Sequence, residues 1–424
     1  MRIMFIGGGG REYGIAKRLS EDPRVEKLWI LPGNGGMEEF AECVPVKATD
    51  MEGVCAFAAE HPVDLAVVTP DDPLAMGMAD RLREMGVPCF GPSAAAARIE
   101  SSKIFSKELM KKYGIPTAEA VSLDSLEAAL NYVEEHEPPM VVKADGLALG
   151  KGVFICRTRE EARLACRELM ENRLFGASGE RVLIEEFLEG PEVSVLSFTD
   201  GKTVVPMVSS MDHKTVGEGG TGPNTGGMGV IAPNPFYTEE VADRCMERIF
   251  LPTIRAMEAE GCPFSGCLYF GLMITKDGPK VIEYNCRFGD PEAQTVLPLM
   301  ETNLLDAMLA CENGTLAETP VRFSNKAAAN VVLVSGGYPG PYKKGLPISI
   351  DVPDPGTHIV HAGTKRTEQG FVTAGGRVIN VVSVAETLPQ AVKAAYSQVG
   401  KVSFENMYYR RDIGRTALEA LSEE

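Results

Sequence analysis

The chain has ten cysteines but no Cys-x-x-Cys pair, and only Cys262 and Cys267 lie close together. Scattered single thiols exclude a disulfide framework, argue against zinc, and predict reduced cysteines in a cytoplasmic protein. No segment approaches the length of a membrane span, and the apolar start MRIMFIGGGG meets glycine too soon to read as a signal peptide. Positive charge is also in deficit, with 42 Lys and Arg against 59 Asp and Glu and a formal net charge of -17. A field of that sign repels polyanions, so neither nucleic acid nor an anionic membrane is expected as a partner. An anionic small substrate would need a local basic pocket.

Familiar nucleotide motifs are missing too. A Walker A loop needs four residues between its glycines and a hydroxyl after its lysine. In VVKADGLALGKGV, only three residues separate Gly146 and Gly150, and Lys151 is followed by Gly152. The stretch Gly7 to Gly14 holds no G-x-G-x-x-G register, and the next strand candidate ends in LPGN without an acid for an adenosine ribose, which disfavours a dinucleotide. No Ser-His-Asp or Cys-His arrangement is recognisable.

What is present is enough for several domains, since 424 residues exceed one ordinary core and 44% are hydrophobic. In residues 1–100, IMFIG (3–7), KLWILP (27–32), DLAVVTP (64–70) and PCFGP (88–92) read as buried strands between helical patterns, which predicts a doubly wound parallel α/β domain. Residues 101–325 form a second region, opening with a helix over 101–113 and carrying a small α+β lid at about 118–190. Residues 326–424 read as a β-rich C-terminal domain.

Glycines after the first strand place free backbone N–H groups at a helix N-terminus, which suits a single phosphate, though a plain tight turn explains them as well. PGNGG (32–36) opens at the same sheet edge. Lys143 stands at a strand end before a glycine turn that can fold over a polyphosphate; alone, that loop is equally a hairpin with lysines facing water. Further on, EEFLEGPEVSV offers a hinge for an adenine edge and a ribose carboxylate at Glu192. In KVIEYNCRFGDPE, Glu283 and Asn285 are two apart on a strand and share a face, a ligand pair suited to magnesium beside phosphate, with Arg287 continuing that face.

Together these motifs resemble the ATP-grasp ligases, and within them the glycinamide ribonucleotide synthetases of purine biosynthesis. GGGGRE, PGNGG, KADGLALGKGV, TGPNTGGMG, NCRFGDPE, HAGT and GGRVINV carry the resemblance across essentially the whole chain. It implies an ATP-grasp body with a small lid, and a reaction in which glycine's carboxylate takes the γ-phosphate of ATP and the glycyl phosphate is captured by the amine of phosphoribosylamine. ATP and Mg2+ or Mn2+ are the implied cofactors, glycine and phosphoribosylamine the partners, and transient contact with the enzyme making phosphoribosylamine stays open.

By the same resemblance Lys103, Lys143, Gly146, Gly150, Lys151 and Gly152 would bind the ATP phosphates. Glu185, Glu186, Phe187 and Leu188 would form the adenine hinge and Glu192 would take the ribose. Glu283 and Asn285 would hold the metal, and Arg287 would stabilise the transferring phosphoryl group. Asp212, Lys214, Thr225, Gly226, Gly227 and Met228 would border the acceptor region, with Asp290 orienting glycine's ammonium. Gly8, Gly9, Gly10 and Asn34 would contact phosphoribosylamine. Two departures fall in that last half: Tyr13 and Gly14 stand where the family commonly has His-Ala, and Thr69 to Asp72 where it has Gly-Pro-Glu.

Overall fold

Strand Arg2–Gly7 is the centre of a five-stranded parallel sheet in a computed structural model of the chain, which describes residues 1–148 and 152–423. Lys27–Pro32 flanks it on one side and Leu65–Val68 on the other, with Glu42–Cys43 and Cys89–Phe90 at the edges. Ile3 to Ile6 are fully buried, because helices cover both faces; hence the unbroken apolar run rather than alternation. The edge strand Glu42–Cys43 was not foreseen, since two residues carry no periodicity. Chain order reverses between Arg2–Gly7 and Leu65–Val68, which opens a crevice at the carboxyl ends of both strands. Gly8 to Gly10 and Thr69 to Asp72 follow those ends.

The chain then enters two successive helices, Ala94–Ser101 and Lys103–Tyr113, where the sequence suggested one over 101–113. Ser102 makes the break. It is extended, its Oγ accepts from the Phe105 amide at 3.1 Å, and its hydroxyl donates to Asp145 Oδ1 at 2.9 Å.

A four-stranded antiparallel sheet follows, in the order Ala120–Leu123, Val182–Glu186, Met140–Ala144, Val153–Cys156. Met140, Val142, Ala144, Val182 and Ile184 pack in one core with Ala129, Val133, Ala162 and Ala165 from helices Leu126–Glu135 and Arg159–Cys166. Strand period two therefore turns Lys143 and Glu185 to the opposite face.

A second antiparallel sheet, ordered Val204–Pro206, Glu192–Asp200, Ser265–Thr275, Gly278–Asn285, forms the body. Glu283 pairs with Gly271 and Asn285 with Tyr269. The last large sheet runs Met211–Asp212, Gly229–Ala232, Ala327–Val334, Arg377–Ala385, Thr357–His361. Its first two strands come from the middle of the chain, so Asp212 and the loop Thr225 to Met228 sit where body and C-terminal sheet join.

Candidate active site

Lys143 does not face water. Its ammonium lies 2.7 Å from Glu185 Oε2 and donates to the Ile282 carbonyl at 2.9 Å, tying the lid sheet to the strand that carries Glu283. Lys107, from helix Lys103–Tyr113, reaches the other oxygen of Glu185 at 3.0 Å. Burial opposes ionisation of Glu185, but the two ammoniums outweigh it and hold its carboxyl below the usual range. Glu185 is thus the counter-ion of two buried lysines. Glu186 accepts from the Glu119 amide at 3.3 Å, Phe187 lies 5.7 Å from the Arg157 guanidinium, and Leu188 is buried, so the strand end leaves the hinge backbone between apolar groups. Lys103 Nζ donates to the Gly146 carbonyl at 3.0 Å, and Asp145 fixes that approach by accepting from the Ile104 amide at 2.9 Å. Gly152 O accepts from the Ala144 amide at 2.9 Å. Gly150 and Lys151 lie outside the described residues.

Across the cleft, Lys214 links two carboxylates, at 3.1 Å from Glu192 Oε2 and 3.4 Å from Glu283 Oε1. The Lys214 ammonium is the largest influence on Glu283; against burial, and with help from Lys143, Lys103 and Arg287, it lowers that carboxyl to about 2. Glu283 is therefore fully ionised at neutral pH. Asn285 presents its Oδ1 on the same face, 3.3 Å from Arg287 Nη2. An ionised carboxylate and an amide oxygen on one strand face are hard oxygen donors, the chemistry Mg2+ or Mn2+ takes when phosphate and water supply the rest. Arg287 is itself anchored, with Nη2 2.8 Å from Glu100 Oε1.

On the acceptor side, Thr225 Oγ1 donates to the Lys214 carbonyl at 2.8 Å and accepts from the Gly227 amide at 2.9 Å. Gly227 has φ +115°, and a methyl there would sit 2.7 Å from Asp212 Oδ1. That oxygen is buried and has no hydrogen-bond partner among the described residues. Burial, then the neighbouring Glu292 charge, pushes the Asp212 carboxyl up. Met228 is fully buried and holds the loop to the His213 carbonyl. Asp290 is well supplied with donors: Arg377 Nη2 at 3.2 Å, Gln294 Nε2 at 2.9 Å and the Arg11 amide at 3.3 Å. Arg377 also donates to the Gly226 carbonyl at 2.6 Å, so one guanidinium binds the glycine loop to the Asp290 turn.

At the first glycine loop, Gly9 caps helix Gly10–Ser20, and its amide donates to Glu12 Oε2 at 2.8 Å. Asn34 uses its whole side-chain amide internally: Nδ2 donates to Gly8 O at 3.0 Å and His361 O at 3.1 Å, while Oδ1 accepts from the Gly36 amide at 3.0 Å. Arg11 crosses to the body, its Nη1 donating to Phe288 O at 2.8 Å. Gly8 to Gly10 and the Arg287 to Asp290 turn therefore border one crevice.

The sequence reading passed over Glu12, Glu100, Lys107 and Arg377. Lys107 and Glu100 lie four residues after Lys103 and three before it, but their ionic partners, Glu185 and Arg287, are far away in the chain.

Three domain models of phosphoribosylglycinamide synthetase match: the N domain over residues 1–100, the ATP-grasp (A) domain over 101–293 and the C domain over 328–416. The chain belongs to the phosphoribosylglycinamide synthetase family. It is 44% identical over 423 residues to a phosphoribosylamine-glycine ligase of Vibrio parahaemolyticus, covering 99% of each chain. The crystal structure of phosphoribosylamine-glycine ligase from Thermotoga maritima superposes with a TM-score of 0.86 at 33% identity, covering 97% of this chain and 100% of that one. The biotin carboxylase domain of Hydrogenobacter thermophilus 2-oxoglutarate carboxylase, solved with ADP and magnesium, superposes at 0.75 and 16% identity over 96% of this chain and 91% of its own, a likeness of fold. The family resemblance read from the motifs is borne out, and with it the ATP-grasp fold.

The departures within this family have structural places. Tyr13 is buried edge-on to Phe40 at 5.3 Å and stacked on His361 at 5.7 Å, in the seam between the first and last sheets. Gly14 lets its helix approach Gln294, where an added methyl would come within 3.3 Å of Cα. Thr69 donates to Glu12 Oε1 at 2.9 Å. Burial opposes the charge of Asp71, yet Arg287 and Arg11 keep its pKa low.

Among the described residues no helix is long and apolar enough to cross a membrane.

Proposed function

We propose that this cytoplasmic enzyme joins glycine to 5-phosphoribosylamine at the expense of ATP, giving glycinamide ribonucleotide, ADP and phosphate. One observation carries the reading: the carboxylate of Glu283 lies in the fields of Lys214, Lys143, Lys103 and Arg287, which arrive from four separate segments. A polyphosphate is the anion such a cluster neutralises, and phosphoryl transfer needs charge neutralisation and positioning rather than a protein nucleophile.

In this reading the adenine rests against the backbone of Glu186 to Leu188, and the ribose hydroxyls donate to Glu192. Lys103 and Lys143 hold the phosphates beside Gly146. Glu283 and Asn285 would hold Mg2+ or Mn2+, which would supply further neutralisation of phosphate charge. Arg287 faces the transferring phosphoryl group. Glycine's carboxylate oxygen attacks that phosphorus, ADP leaves, and the resulting acyl phosphate has a phosphate leaving group that the bare acid lacks. The unpartnered Oδ1 of Asp212 is the acceptor best placed for glycine's ammonium. Asp290, held by Arg377 and Gln294, acts through the turn it fixes. Phosphoribosylamine enters from the crevice beside Gly8 to Gly10, and its amine displaces phosphate from the acyl carbon.

ADP release measured with Mg-ATP, glycine and freshly generated phosphoribosylamine tests this. Release that requires both glycine and the amine is expected. Release without glycine points to another acid, and none at all points to a nucleotide-binding protein without turnover.

A further inference from the structure

One buried carboxylate beside the cleft has no part in the mechanism above. Glu100, near the end of helix Ala94–Ser101, is 7% exposed. It spends one oxygen on each of two donors: Oε1 accepts from Arg287 Nη2 at 2.8 Å, and Oε2 accepts from the backbone amide of Cys286 at 2.8 Å. Those donors are the first two residues past the end of strand Gly278–Asn285. A single rigid carboxylate thus sets both the path of the backbone just past Asn285 and the direction of the guanidinium. Arg287 Nη2 is also 3.3 Å from Asn285 Oδ1, so the same nitrogen is shared between the anchor and the candidate metal ligand. Without the anchor, the guanidinium is free to collapse onto Asn285 or Glu283.

We propose that Glu100 is a positioning residue for phosphoryl transfer, acting through Arg287 and the Cys286 amide and touching neither ATP nor glycine. The inference rests on the reading of the cleft given above. A bound guanidinium a fraction of an ångström out of place still attracts ATP, but it no longer meets the charge that develops in transfer.

Glu100→Gln keeps shape and volume but sets an amide NH2 against one of the two donors. The expected result, with wild type as reference, is kcat lower by about 10- to 100-fold with KM for ATP and glycine changed by less than about threefold. In an Arg287→Ala background, followed to a single turnover, the same substitution should change the rate by less than about threefold, since the guanidinium is gone and the Gln oxygen can still accept from the Cys286 amide. Should Glu100→Gln not fold, Glu100→Asp carries the test: it keeps the charge but is too short to span both donors. An unchanged kcat, a rise in KM alone, or an equal loss with and without Arg287 overturns the proposal. Inactive wild type would instead count against the reading of the cleft, and leaves Mg-ADP titration of Arg287→Ala and Glu100→Gln as the decider: similar weak effects on affinity support positioning, and a loss confined to Glu100→Gln refutes it.

Discussion

The two ends of the crevice, one proposed here for ATP and the other for the ribosylamine, are built from different materials. At the ATP end, side-chain charges meet across sheets: Lys107, Glu185 and Lys143 in one chain of ion pairs, Glu192, Lys214 and Glu283 in another. At the ribosylamine end, the framework is backbone against backbone, with glycines where chains touch and Asn34 filling its amide positions with local carbonyls and N–H groups. Charge is suited to a partner whose charge shifts during reaction. Close-fitting backbone is suited to holding one shape. Substitutions at the first end should therefore disturb rate and stability through electrostatics, while those at the second should disturb affinity through space.

The largest effect is expected at Glu283. Glu283→Gln removes the charge that faces Lys214, Lys143 and Lys103, and kcat should fall by about 10³-fold, because metal-supported charge neutralisation is worth several kcal/mol. KM for phosphoribosylamine should stay put. Steady-state kinetics with each substrate varied would check both, and a loss below tenfold would mean that charge is not what distinguishes this end.

Next comes Glu185. Glu185→Ala leaves Lys143 and Lys107 buried without their counter-ion, and removing one partner of a buried pair costs about 3–5 kcal/mol. Urea unfolding measures it. Stability within 1 kcal/mol of wild type, again only about the size of one ordinary hydrogen bond, would show that water relieves those ammoniums.

The same contrast decides what the sequence disclosed. The proposed ATP end could be read as a candidate from the sequence because its chemistry is carried by residue type at short spacing: Glu283 and Asn285 two apart on a strand, Lys143 at a strand end, Glu192 after a hinge. That Glu185 is a counter-ion rather than a free hinge group was not legible, since Lys107 reaches it from another helix. Arg377 and Glu100 escaped for the same reason: each acts on a partner more than eighty residues away, and one sequence without its fold gives no sign of the pairing. The parallel sheet was legible from its buried runs, whereas the two-residue strand Glu42–Cys43 and the break at Ser102 depend on neighbours.

At the ribosylamine end, Gly35 offers the matching test. A methyl there would sit 2.5 Å from the Arg366 nitrogen and 2.6 Å from the Lys365 carbonyl carbon, both backbone atoms that cannot rotate away. Gly35→Ala must therefore part the PGNGG loop from the hairpin Thr364–Thr367 and Gly370–Thr373, an overpacking that costs about 1–3 kcal/mol. KM for phosphoribosylamine should rise about tenfold, since 1.4 kcal/mol is a factor of ten, with KM for ATP unmoved. Equal changes in both would merge the two ends into one cooperative unit.

The smallest effect is in pH dependence, and it separates the ends by the pH window in which stability is lost. Burial lowers His361 to about 4; its Nδ1 shares a hydrogen bond with Thr364 Oγ1 at 3.1 Å. Burial lowers His213 to about 4 as well; its ring bridges the Gly229 carbonyl and the Gly414 amide. An unfolded histidine takes its proton near the ordinary 6.5. Between 6.5 and 4 the unfolded chain thus binds more protons than the folded one, so stability rises with pH across that window, is fully present above it, and is lost as pH falls through it. Glu283, lowered to about 2, contributes stability that is present above its unfolded value of 4.5 and fades only as pH drops from there towards 2. Urea midpoints at pH 7, 6 and 5 should therefore decline in wild type, and less steeply in His361→Gln, while Glu283→Gln leaves the slope over pH 7 to 5 unaltered. A slope that His361→Gln does not flatten would place the proton uptake outside the seam between the first and last sheets.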